Sequence, residues 1–173
     1  MIFRLFILLV CMPAINCMAN DSRDSVIYKK YKSYVLTHEL TPAGPLPTAF
    51  DPNGVYPYVS FSETSNRPIL KEYNFIDLEN EQIRVTICPD LGGKVTSIIH
   101  KPSGREVLYV PDVIRYTRIL PRFYFVAGGI EVSFPISHSP TQNETVLYQI
   151  DRNKERTYVT CGERELRLAC NGQ

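Results

Sequence analysis

Glu131 and His138 are the residue pair in this sequence best placed to move a proton. They lie seven residues apart in Gly128-Gly129-Ile130-Glu131-Val132-Ser133-Phe134-Pro135-Ile136-Ser137-His138-Ser139-Pro140. A histidine near its ordinary pKa gives or takes a proton at neutral pH, and a glutamate can take the complementary role. Alternation puts Glu131 and Ser133 on one face of an extended run, with Ile130, Val132 and Phe134 on the other. Pro135 ends the run, so His138 belongs to the loop beyond. Each also has a plain explanation, since turn-capping histidines and glutamates on open sheet faces are common. Three further residues could bind a substrate. Arg122 sits beside Phe123-Tyr124-Phe125, and a guanidinium fork next to aromatic rings suits a carbohydrate face. Tyr124 belongs to that cluster. Arg105 is a second potential clamp, like Arg115 and Arg118, although single arginines are more often solvated.

Other chemistries find no support. Gly92-Gly93 would need a following helix to cradle phosphate with its N-terminal amides. Lys94-Val95-Thr96-Ser97-Ile98-Ile99 follows instead, with the pattern of a strand. No Cys-x-x-Cys or His-x-x-x-His spacing occurs, so neither a zinc site nor any other cofactor is expected. No nucleophile elbow is present for a Ser-His-Asp triad. The net charge is +1, and the run Lys29-Lys30-Tyr31-Lys32 reads as the solvent face of a strand, so nucleic acid is not an expected partner. Asn143-Glu144-Thr145 would be a glycosylation acceptor only in a eukaryotic source.

The elements that must position these residues are strands. Ile83–Cys88, Lys94–His100 and Arg105–Val110 alternate apolar with polar residues and are rich in Val and Ile. They are separated by Pro89-Asp90-Leu91-Gly92-Gly93 and Lys101-Pro102-Ser103-Gly104, whose residues supply turn geometry. This predicts a β-meander. Val26–Leu40 predicts one strand, Ile69–Glu79 another, and Val113–Leu120 a strand or short helix. Ile130–Pro135, Val146–Ile150, Tyr158–Cys161 and Glu165–Cys170 complete the set, with a charged turn at Asp151–Arg156. Thr41–Pro57 holds five prolines and two glycines, a density that opposes regular ladder bonding. It is expected to wander over the sheet, anchored by Tyr56, Tyr58 and Phe61. No segment sustains a helical period, and eleven tyrosines and eight phenylalanines without tryptophan suit a β core.

The first residues point to export. Arg4 precedes the apolar run Leu5–Met12, which Pro13 ends; a membrane span needs roughly 17 to 25 apolar residues. The run therefore reads as a signal peptide over residues 1–19, cleaved after Ala19, giving a secreted or periplasmic chain and no membrane span. A lipid anchor on Cys17 is less favoured, because Asn16 stands where a small residue is usual. Cleavage leaves Cys88, Cys161 and Cys170, an odd number for an oxidising compartment. Cys88 reads as a small core residue, and Cys161 with Cys170 could close a local loop.

Leu78-Glu79-Asn80-Glu81, Pro89-Asp90-Leu91-Gly92-Gly93-Lys94-Val95 and Ser103-Gly104-Arg105-Glu106-Val107-Leu108-Tyr109 together resemble the opening of a galactose-mutarotase-like domain. With Gly128–Pro135 and His138-Ser139-Pro140 the likeness narrows to the uncharacterised secreted family often found ahead of tetratricopeptide repeats. The likeness spans roughly Thr41 to Arg164. It implies an all-β antiparallel β-sandwich, part of a supersandwich, with a saccharide groove on a concave side. Residues 20–40 would add an N-terminal strand, and residues 41–173 an incomplete mutarotase-like domain, because the glutamate that removes the anomeric proton in the epimerases would lie further along. Two functions follow as expectations. One is a carbohydrate-binding or glycan-processing domain, with His138 and Glu131 catalytic if it is an enzyme, and with Arg122, Tyr124 and Arg105 on the sugar. The other is a non-catalytic interaction domain or fragment that associates through an open sheet edge.

Overall fold

In the computed structural model the described residues are 26–47, 55–119, 124–132, 144–153, 156–165 and 170–172. The expected leader, Cys17, Arg122 and His138 lie outside them. The described residues form twelve strands. In chain order they are β1 (Ile27–His38), β2 (Leu40–Pro47), β3 (Val55–Thr64), β4 (Ile69–Glu79), β5 (Ile83–Cys88) and β6 (Lys94–His100). Then come β7 (Arg105–Glu106), β8 (Ile114–Arg118), β9 (Tyr124–Val126), β10 (Leu147–Arg152), β11 (Thr157–Glu165) and β12 (Cys170–Gly172). Single 3-10 turns occupy Pro89–Leu91 and Lys101–Ser103, and no α-helix occurs among the described residues. The all-β, mostly antiparallel expectation holds.

Seven strands form one sheet in the order β7-β6-β5-β4-β1-β8-β9, with β1–β8 its parallel pair. β1 therefore runs through the middle of this sheet. Its alternation decides its faces: Tyr31, Ser33, Val35 and Thr37 turn inward while Lys32, Tyr34 and Leu36 are exposed. The sheet curls. Ile130, four residues after β9, exchanges two backbone hydrogen bonds with Val95 of β6, at 2.8 and 3.0 Å. Strands near opposite edges of one sheet are thereby brought together around a core of Tyr73, Cys88, Leu91, Ile114, Tyr116, Tyr124 and Val126.

The meander is where the sequence places it, with one difference. β5 and β6 match their expected spans, but β7 stops at Glu106 rather than Val110. The Glu106 carboxylate explains the stop. It accepts hydrogen bonds from the amides of Ile98, Val107 and Leu108 at 2.9–3.1 Å, and from the Ser97 hydroxyl at 2.5 Å. The carboxylate thus takes the Ile98 and Leu108 amides from the ladder, while the Val107 amide is shared with the Ile98 carbonyl of β6 at 2.8 Å.

Thr41–Pro57 departs from expectation more clearly. β2 pairs with β3 as a two-stranded sheet, although its register shifts three times along the way. Edge strands accept proline because the missing N–H can face away from the ladder. The anchoring role of Phe61 holds: it packs against the core, and its ring meets Tyr124 edge-on at 5.5 Å. The side chains of Tyr56 and Tyr58 lie outside the described residues. Ile130–Pro135, expected as a strand, contributes the bridge at Ile130, and its part from Ser133 on is not described. Val113–Leu120 resolves to a strand, β8.

β10, β11 and β12 form a separate three-stranded sheet. It is tied to the turn after β5 by Val146 N–H to Pro89 O at 3.0 Å and by Gly92 N–H to Glu144 O at 2.7 Å. Cys161 lies against Gly93 and is a free thiol, as is Cys88. The β11–β12 register sets Cys170 opposite Glu165, four residues from Cys161. That offset is roughly 13 Å of strand, beyond the reach of a disulfide, so the Cys161–Cys170 loop closure does not form in this arrangement. Cys88 is the core residue expected, and burial pushes its thiol up to about 12.

Gly129 has φ 70°, and a Cβ there would collide with the Val95 carbonyl, whereas Gly104 at φ 64° faces open space. Gly129→Ala is expected to cost at least about 2 kcal/mol and Gly104→Ala about 1 kcal/mol in urea unfolding; equal losses would deny the close approach. Burial works to raise the Glu106 pKa, but hydrogen bonds from Ser97 and the amides of Leu108, Ile98 and Val107 outweigh it, and the net shift is downward. Its contribution is therefore full above the unfolded carboxyl pKa and disappears as pH falls through the lower folded value. Glu106→Gln should remove that part of the acid dependence, as read from melting temperature against pH.

Candidate functional site

A cleft of about 510 Å³ opens where β4, β8 and β9 approach the turn after β5. Its floor is aromatic. Tyr73 on β4, Tyr116 on β8 and Tyr124 on β9 are all buried, because inward positions on strands gathered by β1 share one face. The Tyr116 and Tyr124 rings meet at 5.6 Å and 71°, and Phe61 closes the side. The Tyr73 hydroxyl stands 3.4 Å from that of Tyr116 and 3.2 Å from the Thr37 hydroxyl. Burial, then the neighbouring Tyr73 phenol, raises the Tyr116 pKa far above its ordinary value, so it stays a neutral hydroxyl.

The rim is charged. Lys71 pairs with Glu39 at 2.8 Å, and Glu72 pairs with Lys32 at 2.7 Å. One Asp90 oxygen accepts from the Asn74 amide and side chain at 2.6 and 2.8 Å, and its other oxygen accepts from the Thr145 hydroxyl at 3.2 Å. The Tyr124 hydroxyl donates to Glu144 at 3.1 Å. The cleft thus offers ring faces below and hydrogen-bond acceptors above.

Tyr124 is the described candidate from the sequence that lines this cleft, at 5% exposure. Glu131 lies elsewhere. Its carboxylate pairs at 3.1 Å with Lys94, whose side chain is 3% exposed and also donates to the Val126 carbonyl. A smaller cavity of about 190 Å³, walled by Val35, Phe75 and Ile114, adjoins that lysine. Arg105 is exposed on β7, at the sheet edge opposite β9. His138 and Arg122 lie outside the described residues. Tyr124, Glu131 and Arg105 therefore do not share one cleft. The sequence reading passed over Tyr73, Tyr116, Asp90 and Glu144. Asp90 was assigned to turn chemistry, and the tyrosines carried a weak signal: Lys71, Tyr73 and Phe75 alternate onto one face of β4.

Residues 50–171 match DUF5107, a domain of unknown function. The chain belongs to the DUF5107 family. The match agrees with the likeness found above to uncharacterised domains ahead of tetratricopeptide repeats. The DUF5107 fold seen here is also similar to the crystal structure of a TPR-domain containing protein from Parabacteroides distasonis ATCC 8503. The two are 73% identical with a TM-score of 0.73, over 81% of this chain and 24% of that one. The chain spans about a quarter of the length of that protein. Among the described residues no helix is long and apolar enough to cross a membrane. Nor does any group of three or more His, Cys, Asp and Glu side chains among them have the arrangement to hold a metal ion.

A buried ammonium stripped of its partner is expensive, as is the reverse. Lys94→Met should lower unfolding free energy by about 3 kcal/mol, measured in urea, and adding Glu131→Gln should recover part of the loss. Additive losses in the double variant would show that the pair is not coupled.

Proposed function

We propose that this DUF5107 domain binds saccharide in the cleft floored by Tyr73, Tyr116 and Tyr124, within a galactose-mutarotase-like β-sandwich. The supporting observation is the pairing of a wide aromatic floor with an acceptor-rich rim in a cavity of about 510 Å³. The packed tyrosines give the cleft an apolar base, the partly exposed Phe61 ring at its side meets the C–H face of a pyranose, and carboxylates and amides take its hydroxyls. The volume falls in the small-molecule range of roughly 300–1,000 Å³. Tyr124 is common to this reading and to the sequence. We further propose that the chain is exported, with a leader cleaved near Ala19.

Binding without turnover is the form favoured, because Glu131 is engaged by Lys94 away from the cleft. A reaction centre built on Glu131 and His138, with Arg122 and Arg105 on the substrate, is the second reading. Mutarotation of galactose or glucose that is lost on Glu131→Gln and on His138→Ala would establish it. The covered quarter of the TPR-domain protein supports the view that such a domain works as a recognition module within a longer chain.

Calorimetric titration against a panel of oligosaccharides tests the proposal. Phe61→Ala and Glu144→Ala should each weaken binding at least about tenfold, or ~1.4 kcal/mol, while Arg105→Ala leaves it unchanged and circular dichroism stays native. Saccharide binding that survives both cleft substitutions, or no binding by the folded chain, would overturn it.

A further inference from the structure

We infer that the smaller cavity beside Lys94 is a second ligand site, which takes a compact, neutral carbonyl compound with a hydrocarbon body. This stands apart from the saccharide reading, because the cavity and the cleft share no lining residue. Every residue that walls the cavity is among the described ones. Leu91, Ile114 and Val126 are buried in its wall, and Val35 and Phe75 are half-buried there. Val110 and Ala127, also in the wall, are exposed and mark the way in. Native interiors leave few voids larger than a water molecule, so an apolar recess of about 190 Å³ is more than a packing gap. An apolar chamber of about 150 Å³ holds benzene, which sets the guest here at roughly six to nine non-hydrogen atoms.

The polar groups in that wall decide the chemistry. An ammonium carries three N–H donors. That of Lys94 gives one to the Val126 carbonyl and one to the Glu131 carboxylate at 3.1 Å, and the third has no acceptor among the described residues. Thr96 and Ser97 line the cavity too, but their hydroxyls donate to the Thr86 carbonyl at 3.3 Å and to the Glu106 carboxylate. Lys94 is therefore the side chain with a hydrogen left for a ligand. Its charge is already matched by Glu131. A ligand carboxylate would add an uncompensated charge among apolar groups, and a ligand ammonium would meet Lys94 as like charge. A plain hydrocarbon would leave the buried N–H unsatisfied. A carbonyl oxygen accepts that hydrogen and brings none of its own to be satisfied.

The test is amide NMR titration of the full chain with acetophenone, isopropylbenzene, benzoate and 1-phenylethylammonium, four probes of one shape and different polarity. Acetophenone should bind at least about tenfold more tightly than isopropylbenzene, and neither ion should bind. Its shifts should fall at Val95, Ile114, Val126 and Gly128. Lys94→Met/Glu131→Gln removes both charges together and should abolish the preference for acetophenone over isopropylbenzene. Ala127→Phe, at an exposed position, should block both neutral probes by filling the entrance, with circular dichroism unchanged. Phe61→Ala, in the saccharide cleft, should leave acetophenone binding as it was. Equal affinity for acetophenone and isopropylbenzene, or tighter binding of benzoate, would overturn the inference. So would acetophenone binding that survives Ala127→Phe, or no acetophenone binding by the folded chain. The saccharide proposal stands or falls separately, on the oligosaccharide titrations.

Discussion

The two backbone hydrogen bonds between Val95 and Ile130 hold the architecture together. Without them a seven-stranded sheet ending in short strands at both edges would splay, and its inward face would be half exposed. With them, β6 is brought to the segment following β9, and the sheet closes behind the tyrosines that the β4-β1-β8-β9 order gathers. The bond pair has a steric requirement. Gly128 and Gly129 both adopt positive φ, and a Cβ on either would strike a carbonyl, that of Tyr109 or that of Val95. The Gly-Gly step therefore serves as the hinge that lets the chain turn back onto β6, so its chemistry is steric.

Lys94 reinforces the same closure from a side chain. Its ammonium is held inside the curl by the Val126 carbonyl and the Glu131 carboxylate, one residue on either side of the Ala127–Ile130 return. A buried charge of this kind adds little net stability over an apolar residue, but it penalises any arrangement that leaves it unpaired. The closure is in this way specified as well as stabilised. Glu106 does similar work at the far edge, ending β7 by satisfying three amides with one carboxylate.

The local part of this fold was legible. Alternation and breakers mark β4, β5 and β6 to their observed limits, because those strands are long and bounded by Pro, Asp and Gly turns. What was not legible depends on contacts distant in sequence. β7 is cut short by a side chain that sequence patterning cannot weigh against a strand. β2 forms a ladder despite Pro42, Pro45 and Pro47, since it pairs on one side only and tolerates register shifts. The candidate site divides the same way. Tyr124 could be picked out for its aromatic neighbours, yet the partners that make it a cleft, Tyr73 and Tyr116, lie 51 and 8 residues away and meet it only through the β4-β1-β8-β9 order. Glu131 looked reactive because nothing local showed that Lys94 would claim it.

The proposed saccharide site depends on one sheet whose β4, β8 and β9 gather an aromatic floor. Backbone amide NMR of the chain during saccharide titration reads this most directly. Shifts should concentrate at Asn74, Gly92, Tyr116, Tyr124 and Thr145, around the cleft. Shifts confined to Gly104–Val107 or to the β10–β11 ribbon, with those five amides unmoved, would contradict it.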